Sequence, residues 1–388
     1  MVNEALASTS NTLFNVALIA YIVAMVAYFF RLAFTRVSAD GVVASTAAGR
    51  RVGLGGTGIV IIGWAAHVAS VTTRGMAAGR VPWANMYEYS SLLALVAVAV
   101  GIVVVQQRLG YGHLVGFVLA AAVLSMTVGL LLFTPAGPVV PALNSYWIKI
   151  HTSAAMASSS IFMVGFVATA LYLVKDTAER RVAERASTTF TGSTVGAAHI
   201  DGPGPVATDE RPEGYEADGG LDSVQIASPM AQRDVLSPVF FPMVPGLVVS
   251  LFTLAVWRAP GAAIVAGSAA ALLGTAAWYA VPYLPPAAKL DNLAYRTIAF
   301  AFPIWTFAIM AGAIWAEEAW GRYWGWDPKE TGSFFTWVLY ASYLHSRSTH
   351  GWRGRRAAWV AVVSFVALMI TYYAVNLWIV GLHSYAKA

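Results

Sequence analysis

The chain has 388 residues, of which 58% are hydrophobic and only 11% are charged, and its formal net charge is +5. Apolar runs of about 20 residues, long enough to cross a bilayer, recur along the whole sequence, which indicates a polytopic membrane protein and not a soluble domain. The positive charge does not indicate nucleic-acid binding, because basic residues are expected in the cytoplasmic loops of such a protein. The sequence contains no cysteine, which excludes disulfides, thiolate metal sites and thiol chemistry within this chain.

The apolar runs predict an all-α fold, a membrane helix bundle of about ten transmembrane helices. Clusters of Gly, Pro and charged residues mark the turns between them. The first run lacks the basic residues that precede a cleavable signal sequence, so we expect it to remain as a helix. The predicted spans are 12–34, 53–73, 88–106, 112–133, 149–174, 239–257, 261–282, 297–316, 329–347 and 357–380.

A polar segment rich in Gly, Ser, Thr and acidic residues separates the fifth and sixth predicted helices. Such a composition buries too little apolar surface to fold by itself. We therefore divide the chain into an N-terminal five-helix membrane part (1–174), a flexible cytoplasmic linker (175–235) and a C-terminal membrane part (236–388).

The distribution of Lys and Arg predicts the orientation in the cell membrane, because cytoplasmic loops carry the excess of basic residues. The loops that follow odd-numbered helices are the basic ones. Both termini, the loops 74–87 and 134–148, and residues 320–330 are then expected on the outer side. The cations in the basic loops are Arg36, Arg50, Arg51, Arg108, Lys175, Arg180, Arg181, Arg185, Lys289, Arg296, Arg347, Arg353, Arg355 and Arg356.

One short stretch, residues 320–330, differs from the rest of the chain and is called here the tryptophan-rich segment. It reads Trp320-Gly321-Arg322-Tyr323-Trp324-Gly325-Trp326-Asp327-Pro328-Lys329-Glu330. Aromatic residues continue on both sides, so the whole aromatic region covers 315–337. Glycines allow backbone to approach a bulky flat object, and aromatic rings stack on flat rings. We interpret the segment as an aromatic platform at a membrane surface.

The end of this segment also has a local structural meaning. Asp327 at an N-cap, Pro328 at the first helical position and Glu330 at the third form a capping-box pattern. A helix is therefore expected to begin at Pro328. Helix capping alone accounts for Pro328 and Glu330, but it does not account for the spacing of the tryptophans.

The predicted topology separates three of the seven histidines from the others. His151 lies at the outer end of the fifth helix and His383 follows the last helix, on the same side as the tryptophan-rich segment. His345 lies near the cytoplasmic end of the ninth helix, about 25 Å from Pro328 at 1.5 Å per residue. We expect His67 to be a packed core residue, whereas His113, His199 and His350 fall in predicted cytoplasmic loops or the linker.

Two outer histidines beside an aromatic platform suit a flat metal macrocycle such as haem. Haem iron takes two axial ligands, and imidazole is a common one. Arg322 and Lys329 could pair with the propionates. Two simpler interpretations remain open: each outer histidine could be an interfacial residue bonded to solvent, and His345 could be a hydrogen-bonded histidine within the helix bundle.

Several motifs resemble those of a known family. The pattern Trp320-Gly-x-x-Trp324-x-Trp326-Asp327 is similar to the tryptophan-rich WWD signature of haem-handling proteins. The chain more narrowly resembles the CcsA/CcsB/ResC family of System II cytochrome c synthase subunits. The supporting stretches are Pro82-Trp-Ala-Asn85-Met-Tyr87-Glu88, Trp147-x-x-x-His151, the block from Ala313 to Arg347, and Asn376-Leu-Trp-Ile-Val-Gly381-Leu-His383-Ser-Tyr385.

The resemblance implies a haem lyase (synthase) subunit that moves haem b across the membrane as its substrate. It implies that His151 and His383 are haem-iron ligands beside Trp320, Trp324, Trp326 and Asp327. His345 would hold haem at a second position, with a histidine supplied by a ResB-type partner. The two proteins would attach haem to the Cys-x-x-Cys-His motif of apocytochrome c. The resemblance omits the linker and the sixth and seventh helices, and it assigns no catalytic residue.

Two other functions stay open from the sequence alone. One is a transporter of another solute whose aromatic loop only anchors the protein at the interface, although we find no internal duplication of the kind common in transporters. The other is an assembly protein or haem chaperone without synthase activity.

The predicted topology can be tested with cysteines introduced into this cysteine-free chain. Cysteines at Ser223, in the linker, and Ser384, after the last helix, should react with a membrane-impermeant thiol reagent from opposite sides of the membrane. Labelling of both from one side would contradict the orientation, and with it the grouping of His151 with His383.

Overall fold

The computed structural model describes residues 2–37, 43–139, 143–191, 231–258, 260–349 and 352–382 of the chain. Among these residues the protein is almost entirely helical, and the helices follow the apolar runs of the sequence. The described part of the chain therefore has the predicted all-α fold of a polytopic membrane protein.

The first half of the chain contains five long helices. A two-stranded ribbon connects the first two, and π-helical turns extend the third as far as Arg108. The elements are α1 (Glu4–Leu32), β1 (Thr35–Val37), β2 (Val43–Ser45), α2 (Ala47–Ala78), α3 (Met86–Val100, then π-helix Gly101–Arg108), a 3₁₀ turn (Gly112–Leu114), α4 (Val115–Leu131) and α5 (Tyr146–Thr191).

The second half contains a helical hairpin and then three long helices, the last of which ends in a π-helical turn. The elements are α6 (Ala231–Asp234), α7 (Phe240–Trp257), α8 (Pro260–Ala280), a 3₁₀ turn (Val281–Tyr283), α9 (Ala287–Trp320), α10 (Pro328–Ser348), α11 (Arg355–Met369), the π-helix Ile370–Ala374 and α12 (Val375–Trp378).

Each of the ten predicted spans has a helix among the described residues. Seven helical stretches are long and apolar enough to cross a membrane, and two more apolar stretches, Val115–Leu131 and Phe240–Leu251, are shorter. The remaining helix, α10, has 21 residues and is about 31 Å long, but it is less apolar. The prediction of a membrane helix bundle is thus confirmed.

The observed helix ends differ from the predicted ones where polar residues continue a helix. Helix α5 runs to Thr191 and not to residue 174, so the beginning of the predicted linker is helical. Apolar runs locate the part of a helix that lies in lipid, but the backbone hydrogen bonds of a helix do not stop where that run ends. Residues 192–230, the rest of the predicted linker up to Met230, lie outside the described part of the chain.

Two compact units are formed by the described residues. The first lies within Met1–Thr35, Ser45–Lys175 and Leu284–Ala388, and the second within Arg36–Ala44 and Asp176–Tyr283. The first unit therefore contains most of α1 to α5 together with α9 to α12, and the second contains the α7–α8 hairpin. The proposed site lies entirely in the first unit.

The first unit has two apolar cores. One is formed by α1 to α4 around Tyr21, Leu119 and Met126. The other is formed by α3, α4, α5, α9, α10 and α11, and it contains a stacked pair, Phe162 and Tyr340, with ring centroids 3.8 Å apart. This second core fixes α5 against α9 and α10, the three helices that supply the histidine and aromatic residues described next.

Candidate functional site

The loop of the tryptophan-rich segment begins where α9 ends and finishes where α10 begins. Gly321 ends α9 in the left-handed conformation, with φ of 69°, a value that glycine adopts without steric cost. Asp327 and Glu330 then form the predicted capping box at the start of α10, with Pro328 in its first turn. The residues that end α9 and begin α10 therefore lie within the tryptophan-rich segment itself.

A single carboxylate organises the backbone of this loop. The carboxylate oxygen Oε2 of Glu330 accepts hydrogen bonds from the backbone N–H groups of Gly325 (2.8 Å) and Asp327 (3.0 Å). The other oxygen, Oε1, accepts from Nη1 of Arg322 at 3.1 Å. Glu330 is buried, and hydrogen bonds to a charged acceptor are the stronger kind. The Glu330 side chain thus holds the loop through hydrogen bonds from three of its residues.

The aromatic rings of the segment pack edge to face. Trp324 lies 5.7 Å from Trp326, with their rings perpendicular, and Trp326 lies 5.8 Å from Phe334 in the same arrangement. Trp320 packs against Trp315 at 4.7 Å. Trp326 has a positive φ of 58° and is 63% exposed, so the backbone turns its ring outward. Aromatic packing defines the shape of this platform.

A cavity of about 940 Å³ lies beside the platform, near the upper end of the roughly 300–1,000 Å³ found for ligand cavities. It is lined by the loop before α3, the first turns of α5, the last turns of α9, the start of α10 and the π-helix after α11. The aromatic residues in its wall are Trp83, Tyr89, Trp305, Trp315, Tyr323, Trp324 and Tyr372. Most of the motifs singled out in the sequence therefore meet at one cavity.

His151 lines this cavity, and its protonation pattern follows from one hydrogen bond. Its Nδ1 atom lies 2.7 Å from the carbonyl oxygen of Ala308. A carbonyl oxygen can only accept, so Nδ1 carries a proton, and in the neutral imidazole Nε2 then keeps its lone pair. A hydrogen bond of this kind is what orients a metal-binding imidazole and selects its tautomer.

The approach of His151 to α9 requires a glycine. A Cβ atom at Gly312 would lie 2.7 Å from Nδ1 of His151 and 2.8 Å from Cε1, closer than side-chain carbons ever approach. Beside this gap, the ring of Trp315 is parallel to the imidazole within 9°, with centroids 6.4 Å apart. The imidazole plane is therefore fixed by α9.

The two cations predicted to pair with propionates have different environments. Arg322 is in a salt bridge with Glu330, and its guanidinium lies 5.7 Å above the ring of Trp320. Lys329 lines the cavity, as does Lys149 from α5. The sequence analysis did not single out Lys149, because a lysine near a helix end is unremarkable until the cavity beside it is known.

A buried ion cluster, which the sequence analysis also missed, lies beside the cavity. Glu88, the last residue of the Pro82–Glu88 motif, accepts from Nε of Arg74 at 2.9 Å and from Nη1 of Arg80 at 2.8 Å. Arg80 also donates to the carbonyl oxygen of Gly137 at 2.8 Å. Because Arg80 and Trp83 line the cavity, the cluster fixes one wall of it.

His383 itself lies outside the described residues, which end at Leu382 before the final six positions. The backbone N–H of Leu382 donates to Oδ1 of Asp327 at 2.8 Å. Asp327 thus holds the chain that leads to His383 against the tryptophan-rich segment, in addition to capping α10.

His345 and His67 do not line the cavity. His345 is exposed on α10, which is continuous from Pro328, so about 25 Å of helix separates it from the segment. His67 is fully buried, with Nε2 2.8 Å from the Ser91 hydroxyl and Nδ1 3.4 Å from that of Tyr21. The prediction that His67 is a packed core residue is confirmed.

Fold and site together define a polytopic membrane protein with a cavity that, among the described residues, is lined by His151 and many aromatic residues. The family model described as cytochrome C assembly protein matches residues 83–383. This range includes most of the residues that line the cavity, although Arg80 and Pro82 lie just before it. The chain belongs to the cytochrome c assembly protein family.

Curated relatives agree with this assignment. The chain is 32% identical to the cytochrome c biogenesis protein CcsA of Gloeobacter violaceus over 335 residues, which cover 85% of this chain and 86% of the relative. It is 32% identical to CcsA of Microcystis aeruginosa over 338 residues, 86% of this chain and 87% of the relative. The protein has a role in cytochrome c biogenesis, a process that involves haem and apocytochrome c.

The close contact between Gly312 and His151 predicts that one methyl group added at position 312 will move the imidazole. Gly312→Ala should displace the His151 imidazole from the Ala308 carbonyl. If haem occupies the cavity, the same substitution should lower the affinity of the purified protein for ferric haem by roughly 10- to 100-fold, as for other losses of orienting contacts. Gly58→Ala is a matched control, since a Cβ there meets no atom within 4 Å. Haem titration followed by absorbance measures both. Equal affinities in the two variants would contradict the role assigned to Gly312.

Proposed function

We propose that the chain binds haem in this cavity and presents it for covalent attachment to apocytochrome c, as a subunit of a System II haem lyase with a ResB-type partner. The observation that carries the proposal is the convergence of an oriented His151 imidazole and the tryptophan-rich segment on one cavity of suitable size. A neutral imidazole with a free Nε2 is a suitable axial ligand of haem iron.

Three further features support haem as the occupant. The cavity wall is largely aromatic, which suits the two faces of a porphyrin. The chain before His383 is tied to Asp327, next to the platform, which suits His383 as the second axial ligand. Cationic side chains in the wall suit the propionates of haem b.

The attachment reaction requires positioning more than acid–base chemistry. A thiol of the Cys-x-x-Cys-His motif adds across a haem vinyl group: a carbon–sulfur bond forms at one vinyl carbon, the thiol proton ends on the other, and nothing is oxidised overall. The contribution of this chain is to hold the iron and the porphyrin plane while the apocytochrome thiols approach. We place the cavity on the outer side of the membrane, where the distribution of basic residues puts the segment.

His345 is proposed as part of a separate haem position nearer the cytoplasmic side. Axial nitrogens on one iron are about 4 Å apart, so a residue some 25 Å along α10 cannot share an iron with His151. His345 is exposed on the surface of the chain, and both ring nitrogens of His67 are already hydrogen-bonded within the core. These facts favour a ligand from the ResB-type partner as its companion.

Replacement of the outer histidines tests the first position. His151→Ala or His383→Ala should lower the haem content of the purified protein several-fold and abolish its bis-imidazole spectrum, because one axial ligand is lost. Added imidazole should partly restore both, since the missing group is one ring nitrogen. His350→Ala serves as the control. Full haem content and cytochrome c formation in the double variant would refute ligation by this pair.

Replacement of His345 tests the second position. With the partner present, His345→Ala should deplete haem at the outer position several-fold when haem comes from the cytoplasm, and much less when haem is supplied from outside. Haem occupancy under the two supply conditions is the measurement. Normal loading from cytoplasmic haem would exclude His345 as a haem ligand and place the entry position elsewhere.

A further inference from the structure

The charged groups that line the cavity are mostly cations. Arg80 from the loop before α3, Lys149 from α5 and Lys329 from α10 lie in its wall, together with one carboxylate, that of Glu330. A cavity with an apolar, aromatic wall strengthens electrostatic interactions inside it, because less water is present to screen them. The cavity therefore favours a ligand that carries negative charge.

Two of these four groups are already neutralised within the protein. Arg80 is in a salt bridge with Glu88 and also donates to the carbonyl oxygens of Val81 and Gly137. Glu330 is in a salt bridge with Arg322 and holds the backbone of the loop. Neither group can bind a ligand without losing these contacts. Arg80 and Glu330 therefore stabilise the cavity wall and do not contact the ligand.

The two lysines are different. Neither Lys149 nor Lys329 makes a salt bridge with any carboxylate in the described part of the chain. Asp327 acts on Lys329 electrostatically, but its Oδ1 accepts from Leu382. An ammonium group has three donors on a flexible stem and adapts to a ligand carboxylate that is itself on a flexible arm.

We propose that Lys149 and Lys329 form a paired receptor for the two propionate carboxylates of the porphyrin, and that Arg322 takes no part in it. This inference rests on the proposed function, since it assumes that haem occupies the cavity. Two ammonium groups match two carboxylates in number and charge. The vinyl groups lie on the opposite edge of the macrocycle, so this receptor would direct the reactive edge away from α5 and the start of α10.

The experiment compares haem with its dimethyl ester, the same iron porphyrin without carboxylate charge, on the full-length purified protein. Wild type should bind ferric haem about 100-fold more tightly than the ester, and Lys149→Gln or Lys329→Gln should each reduce haem affinity about tenfold, in the range of a charge-assisted hydrogen bond. Ester affinity should not change. Lys149→Arg and Lys329→Arg should retain most of the preference for haem over the ester. Lys289→Gln, outside the cavity lining, is the control.

The outcomes separate this inference from the proposed function. Equal binding of haem and ester to wild type, or an equal loss of both in the lysine variants, would overturn the receptor, while a bis-imidazole spectrum lost in His151→Ala would still support haem ligation. Absence of any imidazole-ligated haem in wild type would refute the proposed function itself. Arg322→Gln could instead lose most of the preference for haem over the ester while its bis-imidazole spectrum stays unchanged. That result would show that Arg322 binds the propionates and would overturn the exclusion of that residue.

Discussion

The site depends on the hydrogen bond from Nδ1 of His151 to the Ala308 carbonyl. Without it the imidazole could rotate or change tautomer, and the nitrogen that faces the cavity would not be determined. The bond exists only because α5 and α9 pack closely in the larger core and because Gly312 leaves room for the ring. An interaction between a side chain and a backbone atom 157 residues away thus sets the orientation of the His151 imidazole.

The tryptophan-rich segment depends on a second interaction, the hydrogen bonds between its loop and the Glu330 carboxylate. Helix capping requires only that Glu330 reach the N–H of Asp327, yet the same oxygen also accepts from Gly325 and the other oxygen pairs with Arg322. A loop held by tertiary packing alone would move with the helices. A loop held by the cap of α10 keeps its geometry relative to that helix, which also carries Lys329.

The sequence was sufficient to predict the ten helices, because runs of apolar residues reflect the length needed to cross lipid. It also predicted the capping box, since the interacting residues are three positions apart. It did not predict the ribbon between α1 and α2, the full length of α5, or the pairing of Arg322 with Glu330. Polar residues carry no periodic signal that marks where a helix stops, and a cation is not identified as paired until its neighbours are known.

The buried cluster of Glu88, Arg74 and Arg80 shows why charge alone does not identify a binding residue. Removing three ionised groups from water is costly, and such clusters are weak evidence of stabilisation. Their arrangement here has a positional effect: Arg74 donates to the carbonyl oxygen of Thr134 and Arg80 to that of Gly137, which ties the end of α2 and the loop before α3 to the loop after α4.

The same distinction applies across the cavity. Charges that are enclosed and multiply hydrogen-bonded, on Glu88, Arg80 and Glu330, hold backbone in place, whereas the lysines on flexible stems remain available to a ligand. Such a cavity needs both kinds of charged group, those that hold the wall and those that are available to a ligand. For haem as the proposed occupant, rigid walls would fix where the iron and the ring lie, and the adaptable lysines would fix which way round a porphyrin with two acidic arms enters.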